Sequence, residues 1–161
     1  MANIRFENHM KSLLGMSLAE LQDLVAQHNM PKFTAKQLVD WLYRKRVVSK
    51  LRANGYSVAC CSNSIRMTIE MMMSYAKLDK YLNFIVSNQD VKNAKPDPEI
   101  YLTAMKKLNL QPTECLIVED NENGIKAAMA SGGNLLAVKT VDDVTWDNVM
   151  GRIREIEQKG R

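Results

Sequence analysis

The chain has 161 residues, 46% of them hydrophobic and 25% charged, a composition typical of an ordinary globular protein with one core. No apolar stretch approaches the length of a membrane-spanning helix and no signal segment opens the chain, so we expect a cytoplasmic protein. The net charge is +4, and the basic excess lies entirely in residues 1–55, which hold nine Lys or Arg against four Asp or Glu. Such a segment indicates either nucleic-acid contact or a solvated helix face.

Two capping boxes predict a helical hairpin in the first third of the chain. Ser17-Leu-Ala-Glu20 and Thr34-Ala-Lys-Gln37 each open an apolar pattern with helical spacing, and Pro31 lies in the turn between them. A hairpin of about forty residues buries little apolar surface alone, so we expect its apolar face to pack on the rest of the chain. We assign residues 1–47 to this helical module and residues 48–161 to an α/β core.

Strands and helices are predicted to alternate through the remainder of the chain. The predicted elements are a short helix ending at Asn54-Gly55, a strand at Tyr56–Cys61, a helix at Ile65–Tyr75, a strand at Phe84–Ser87, a helix from Asp97 to Leu108, a strand at Leu116–Glu119, a helix at Ile125–Ser131, a strand at Leu135–Val138 and a helix from Thr145 to Glu157. This alternation, with short turns, predicts a parallel, doubly wound sheet.

Polar side chains occur where the carboxyl ends of these strands would meet. Ser62 and Asn63 follow the first strand, Lys95 lies in a loop before a helix, and Glu119 and Asp120 end the third strand. Each motif alone could be a helix cap or a solvated loop, but together they predict one site at the sheet edge. Hydroxyl, amide and ammonium groups there can bind a phosphoryl group, and the paired carboxylates can hold Mg2+.

These motifs resemble the second part of a haloacid dehalogenase-like hydrolase of the beta-phosphoglucomutase and phosphoglycolate phosphatase type. The resemblance covers residues of about 49–157 and rests on Ser62-Asn63, on Lys95 in Lys-Pro-Asp-Pro-Glu-Ile-Tyr, and on Glu119-Asp120 before Asn-Glu-Asn-Gly. It implies a Rossmannoid parallel sheet and Mg2+-dependent hydrolysis of a phosphorylated small molecule. By the same resemblance Ser62, Asn63 and Lys95 would bind phosphate, Lys95 would also be catalytic, and Glu119 and Asp120 would hold the metal.

The sequence departs from this family in one essential motif. The family's nucleophile is the first Asp of an Asp-x-Asp after a central strand, and this chain contains no Asp-x-Asp. Ile4-Arg5-Phe6-Glu7 could form a short strand ending in a carboxylate, but an arginine suits a buried central strand poorly. We therefore expect an incomplete sheet in a fused or truncated product that is inactive alone. The gap in the sheet could be closed by direct pairing of the strands before Ser62 and before Glu119, by insertion of residues 3–7, or by a strand from another chain, and of these we expect direct pairing.

A second resemblance favours a different class of function. Residues of about 12–47, including Met30-Pro-Lys-Phe-Thr-Ala-Lys-Gln-Leu, resemble the N-terminal helical domain of radical S-adenosylmethionine methyltransferases that modify adenine in RNA. The Cys-x3-Cys-x2-Cys motif of that family is absent, so methyl transfer is excluded. The resemblance leaves a non-enzymatic RNA-binding module as the alternative function. Its phosphate contacts would come from five basic residues: Lys32, Lys36, Arg44, Lys45 and Arg46.

Overall fold

Four short parallel strands and the helices between them form most of the described protein. The computed structural model describes residues 22, 23, 26, 27 and 46–159. The predicted hairpin therefore lies almost wholly outside the described residues, although residues 22–23 and 26–27 are helical. The predicted division into residues 1–47 and 48–161 stays a prediction. No helix in the described part of the chain is long and apolar enough to cross a membrane.

The strands and helices follow the predicted order, which confirms the α/β class. The strands are β1 (Ala59–Cys61), β2 (Phe84–Val86), β3 (Leu116–Glu119) and β4 (Asn134–Ala137), and the helices between and after them are α1 (Arg66–Tyr75), α2 (Glu99–Leu108), α3 (Glu122–Ala130) and α4 (Trp146–Lys159). A further helix at residues 46–53 stops before Gly55, whose φ of 85° is the predicted left-handed turn.

Two boundaries differ from the sequence-based prediction for identifiable reasons. Helix α3 begins at Glu122, three residues before the predicted start, because the Asn121 side chain accepts the Gly124 N–H at 2.8 Å and caps it. Strand β1 begins only at Ala59. The reason is that the Val58 N–H donates to the Asn83 side chain at 2.8 Å instead of to a backbone carbonyl of a neighbouring strand.

The strands form two separate parallel pairs, which we call the first half-sheet (β1–β2) and the second half-sheet (β3–β4). No ladder joins β1 to β3 among the described residues, so the predicted direct pairing is wrong. The Ser62 N–H donates to the Val86 carbonyl across the β1–β2 ladder. Because the C=O and N–H of one trans peptide group point in opposite directions, the Cys61 carbonyl faces away from β2. Lys95 Nζ donates to that carbonyl at 3.1 Å, so an ammonium group occupies the position where a direct ladder would form.

Helix α2 holds the two half-sheets together. Its buried residues Ile100, Tyr101, Ala104 and Met105 recur with helical spacing on one face. They pack in a single core with residues of both half-sheets and of α3: Val86, Ile117, Ala127 and Ala128. A second core is built from α1 and the residues after it, Ile69, Met73, Ala76 and Leu78, against Cys60 and Ile85 of the first half-sheet. Because adjacent strand residues point to opposite faces, this second core lies on the other side of the first half-sheet.

Candidate active site

The predicted site residues meet at the carboxyl edge of the two half-sheets. Lys95 is the connecting group, because its Nζ donates to the Cys61 carbonyl at the end of β1 and forms an ion pair with Glu119 at the end of β3. Both side chains are buried: Lys95 is 9% exposed and Glu119 is 7% exposed. A buried ion pair is retained only when its remaining hydrogen-bonding capacity is also met, and this pair has such partners.

The loop that carries Lys95 is anchored by Asn63. The Lys95 N–H donates to Asn63 Oδ1 at 3.0 Å, and Asn63 Nδ2 donates to the Lys95 carbonyl at 3.2 Å. The amide that we predicted to bind phosphate is therefore engaged with the backbone of the lysine. Glu99 fixes the same loop by accepting the N–H groups of Lys92 and Asn93, each at 2.9 Å. These donors, the Lys92 N–H first, lower the pKa of Glu99.

Glu119 accepts hydrogen bonds on both carboxylate oxygens. Its Oε1 contacts Lys95 Nζ and the Tyr101 hydroxyl, and its Oε2 accepts from Asn121 Nδ2 at 3.1 Å and from the Asp120 N–H at 3.3 Å. The start of α3 also closes on this carboxylate, because a Cβ atom built on Gly124 would overlap it. Glu119 is thus fixed as the counter-ion of Lys95.

Tyr101 belongs to the site but was not predicted. Its ring centroid lies 4.7 Å from Lys95 Nζ, and its hydroxyl donates to Glu119. Burial, followed by the negative charge of Glu119, raises the pKa of Tyr101, so the phenol stays protonated and remains a donor. A tyrosine on the buried face of an amphipathic helix needs a partner for its hydroxyl, and this was the available sequence signal.

Ser62 and Asp120 are the remaining predicted site residues at this edge. Ser62 Oγ accepts the Ser64 N–H at 3.2 Å, which leaves the hydroxyl proton to donate elsewhere. Asp120 is exposed next to the buried Glu119. Within the described residues no group of three or more His, Cys, Asp or Glu side chains is arranged to hold a metal ion. These residues fit Mg2+ in part: Asp120 and Glu119 are the two carboxylates that would hold the ion, and both oxygens of Glu119 already accept hydrogen bonds.

Cys61 does not supply a replacement nucleophile beside Ser62. Burial raises the pKa of the Cys61 thiol to about 12, so the reactive thiolate is not formed near neutral pH. Its side chain packs against the core under α2, within 3.9 Å of the Ile100 carbonyl. None of the three cysteines forms a disulfide within the described residues.

Of the residues predicted for RNA contact, only Arg46 lies in the described part of the chain. Arg46 is exposed in the helix at residues 46–53. Lys32, Lys36, Arg44 and Lys45 lie outside the described residues, as does the alternative carboxylate Glu7. RNA binding therefore stays a prediction.

Known proteins are similar to this chain in sequence and in fold. A family model described as "haloacid dehalogenase-like hydrolase" matches residues 7–138. Over 101 residues the chain is 36% identical to a bifunctional riboflavin kinase/FMN phosphatase from Arabidopsis thaliana, covering 62% of this chain and 27% of that protein. Over 91 residues it is 35% identical to the pyrophosphatase PpaX from Bacillus cereus, covering 56% of this chain and 42% of that protein. The chain thus spans less than half the length of either relative.

Solved structures give the same fold. Beta-phosphoglucomutase from Clostridium difficile aligns with a TM-score of 0.62 and 21% identity, covering 70% of this chain and 56% of that one. A HAD hydrolase of family IA from Entamoeba histolytica aligns with a TM-score of 0.57 and 20% identity, covering 93% of this chain and 84% of that one. The resemblance of residues 12–47 to methyltransferases stays a prediction. The family model spans most of the sequence, and the chain belongs to the haloacid dehalogenase-like hydrolase family.

Proposed function

We propose that this chain binds the phosphoryl group of a phosphorylated small molecule and is the binding half of a phosphatase-like or phosphomutase-like site. The observation that carries the proposal is the buried Lys95, whose ammonium joins the ends of both half-sheets beside Ser62. Two relatives are named for phosphatase and pyrophosphatase activities, which supports a phosphate ester or anhydride as the ligand class.

The geometry around Lys95 suits an oxyanion. An ammonium group has three N–H donors, and two of them are directed at the Cys61 carbonyl and Glu119. The third can donate to a phosphate oxygen, and the Ser62 hydroxyl can donate to a second one. Mg2+, when bound, would be held by Asp120 with Glu119 behind it and would neutralise phosphate charge.

Covalent catalysis is the part for which we find no residue in the described part of the chain. The sequence contains no Asp-x-Asp, Glu119 is held by four donors, and the Cys61 thiol stays protonated. A phosphatase of this type needs an unprotonated nucleophile aligned with phosphorus. We therefore propose that the chain binds phosphate without turning over an ester.

Calorimetric titration of the full chain with orthophosphate tests the binding proposal. Lys95→Met should weaken binding by about tenfold or more, since a hydrogen bond from a charged donor is lost. The double variant Lys95→Met/Glu119→Gln should bind equally poorly while leaving no unpaired buried charge. Lys126→Met is the control, because Lys126 is exposed and pairs with Glu122 on α3. Equal affinity in the wild-type chain and both Lys95 variants would sink the proposal.

Turnover of p-nitrophenyl phosphate with Mg2+ tests the second part. We expect a rate at the buffer background for the wild-type chain and for Asp120→Asn. Robust turnover that Asp120→Asn abolishes would show that a nucleophile is present, and Glu7→Gln would then test whether Glu7 supplies it.

A further inference from the structure

We propose that Tyr101 is a positioning residue for Lys95 and that it acts through Glu119. The inference rests on the proposed function, because the position of the lysine matters for binding an oxyanion. Tyr101 is 5% exposed and lies in the first turn of α2, the helix that packs across both half-sheets. Its place is therefore fixed by the core rather than by the site.

One carboxylate oxygen links the two residues. Glu119 Oε1 accepts from both the Tyr101 hydroxyl and Lys95 Nζ, which uses the two lone pairs of that oxygen. The other oxygen accepts from Asn121 and from the Asp120 N–H. With donors on both sides, the carboxylate cannot rotate without breaking a buried hydrogen bond. The direction from which Glu119 meets Lys95 is thus set in part by the tyrosine.

The ring of Tyr101 acts on the same ammonium from another side. Its centroid is 4.7 Å from Lys95 Nζ, a distance at which the ring face attracts a cation. Cys61 and Glu119 accept two of the three ammonium donors. The ring and the two acceptors together limit the direction of the third donor. The phenylalanine variant separates the two effects, because it keeps the ring and removes the hydroxyl.

A double-mutant cycle on orthophosphate affinity tests the proposal. Tyr101→Phe should weaken binding by about tenfold, because the Glu119 carboxylate can then rotate and no longer holds Lys95 in the direction that binding needs. In a Glu119→Gln background the same change should cost less than about twofold, because the route through the carboxylate is already broken. A merely structural role would give the same loss in both backgrounds, and that result would overturn the proposal. So would an unchanged affinity in Tyr101→Phe.

Tyr56→Phe is the matched control. The Tyr56 hydroxyl also donates to a glutamate, Glu157, at 2.9 Å, but Tyr56 precedes β1, whereas the site lies after it. Its loss should leave the phosphate affinity unchanged. If Tyr56→Phe weakens binding as much as Tyr101→Phe, the effect is not specific to the site and the proposal fails.

A second measurement keeps the test independent of phosphate binding. Acetylation of lysines by acetic anhydride, read by mass spectrometry, reports how well Lys95 is held, with the exposed Lys126 as internal reference. Tyr101→Phe should raise the relative rate at Lys95 by about fivefold, through easier local opening. If the wild-type chain binds no orthophosphate, the proposed function fails, and this rate alone decides the role of Tyr101. An unchanged rate in Tyr101→Phe would overturn that role.

Discussion

The two half-sheets place chemically different groups at the same edge. The first ends in uncharged groups, the Cys61 carbonyl and the Ser62 hydroxyl, whereas the second ends in the carboxylates of Glu119 and Asp120. Lys95 is satisfied by one group from each, a carbonyl and a carboxylate. Either half-sheet alone would leave a buried ammonium with incomplete partners, so the site depends on the two halves staying together.

The two hydrophobic cores differ in which half-sheets they contact. The core under α2 contains residues of both half-sheets, whereas the core built on α1 contacts the first half-sheet. No ladder joins β1 to β3 among the described residues. Side-chain packing of α2 therefore links the two half-sheets, as backbone hydrogen bonds link the strands of a continuous sheet. This comparison predicts that similar cavities in the two cores will have different consequences for the site.

Ile100→Ala and Ile69→Ala test most directly whether the two cores have different roles. Both isoleucines are fully buried, Ile100 in α2 and Ile69 in α1, and each truncation should cost about 3 kcal/mol of unfolding free energy. Ile100→Ala should speed amide hydrogen exchange in both half-sheets, because it weakens the packing that joins them. Ile69→Ala should speed exchange in β1 and β2 first.

Urea unfolding gives the size of each loss, and residue-resolved hydrogen exchange gives its distribution. The idea that α2 couples the halves would be wrong if Ile69→Ala loosened β3 and β4 as much as it loosened β1 and β2. It would also be wrong if Ile100→Ala left exchange in the second half-sheet unchanged.

Gly124→Ala tests how firmly the second half-sheet holds the Glu119 carboxylate. A Cβ atom at this position would overlap the Glu119 carboxyl group, so either α3 or the Lys95 partner must move. We expect a loss of about 2 kcal/mol, typical of overpacking a buried position. Gly151→Ala is the control, because Gly151 lies within α4 and has nothing within 4 Å of a built Cβ. It should instead gain up to about 1 kcal/mol from helix propensity.

Thermal unfolding distinguishes these outcomes, since the two variants should shift the midpoint in opposite directions. Equal midpoints for Gly124→Ala and the wild-type chain would show that the carboxylate can move at little cost. That result would also weaken the view of Glu119 as a fixed counter-ion.

Local patterns in the sequence identified most elements of the core. Strand β3 was predicted with its observed bounds, because a continuous apolar run ends there in two carboxylates. Strand β4 and helix α1 were each placed within one residue. The grouping of Ser62, Lys95 and Glu119 followed from the rule that parallel strands end at one edge. These features depend on the period and order of residues, which a sequence displays directly.

Contacts between distant residues could not be predicted in the same way. Alternation shows which face of β1 is buried, but it does not show which strand lies beside it, and the direct pairing with β3 was wrong for that reason. The contact of the Asn63 amide with the Lys95 backbone, thirty-two residues away, was not predicted either. Tyr101 was not assigned to the site, because its partner Glu119 lies on another element.

Asp90 and Asp143 allow a smaller test, because each carboxylate follows the second strand of a half-sheet. Asp90 accepts from Arg66 at 2.6 and 2.7 Å and from the Ser87 N–H at 2.7 Å, whereas Asp143 accepts the N–H groups of Lys139 and Thr140 at 2.8 and 2.9 Å. The hydrogen bonds from Arg66 lower the pKa of Asp90 most, and backbone N–H groups lower the pKa of Asp143.

A lowered carboxyl pKa stabilises the fold above the unfolded value of about 3.9, and this contribution is lost as the pH falls through the folded value. Asp90→Asn should therefore cost about 1 kcal/mol near neutral pH, a figure reduced for solvent screening of a partly exposed pair. Urea unfolding of Asp90→Asn and the wild-type chain should converge as the pH is lowered below about 3.9. Asp143→Asn should change stability less, since the donors to its carboxylate are backbone N–H groups of one turn rather than a guanidinium group. An equal loss of unfolding free energy in Asp143→Asn and Asp90→Asn would show that the arginine adds no stability. A difference between Asp90→Asn and the wild-type chain that persists in acid would exclude ionisation of Asp90 as its source.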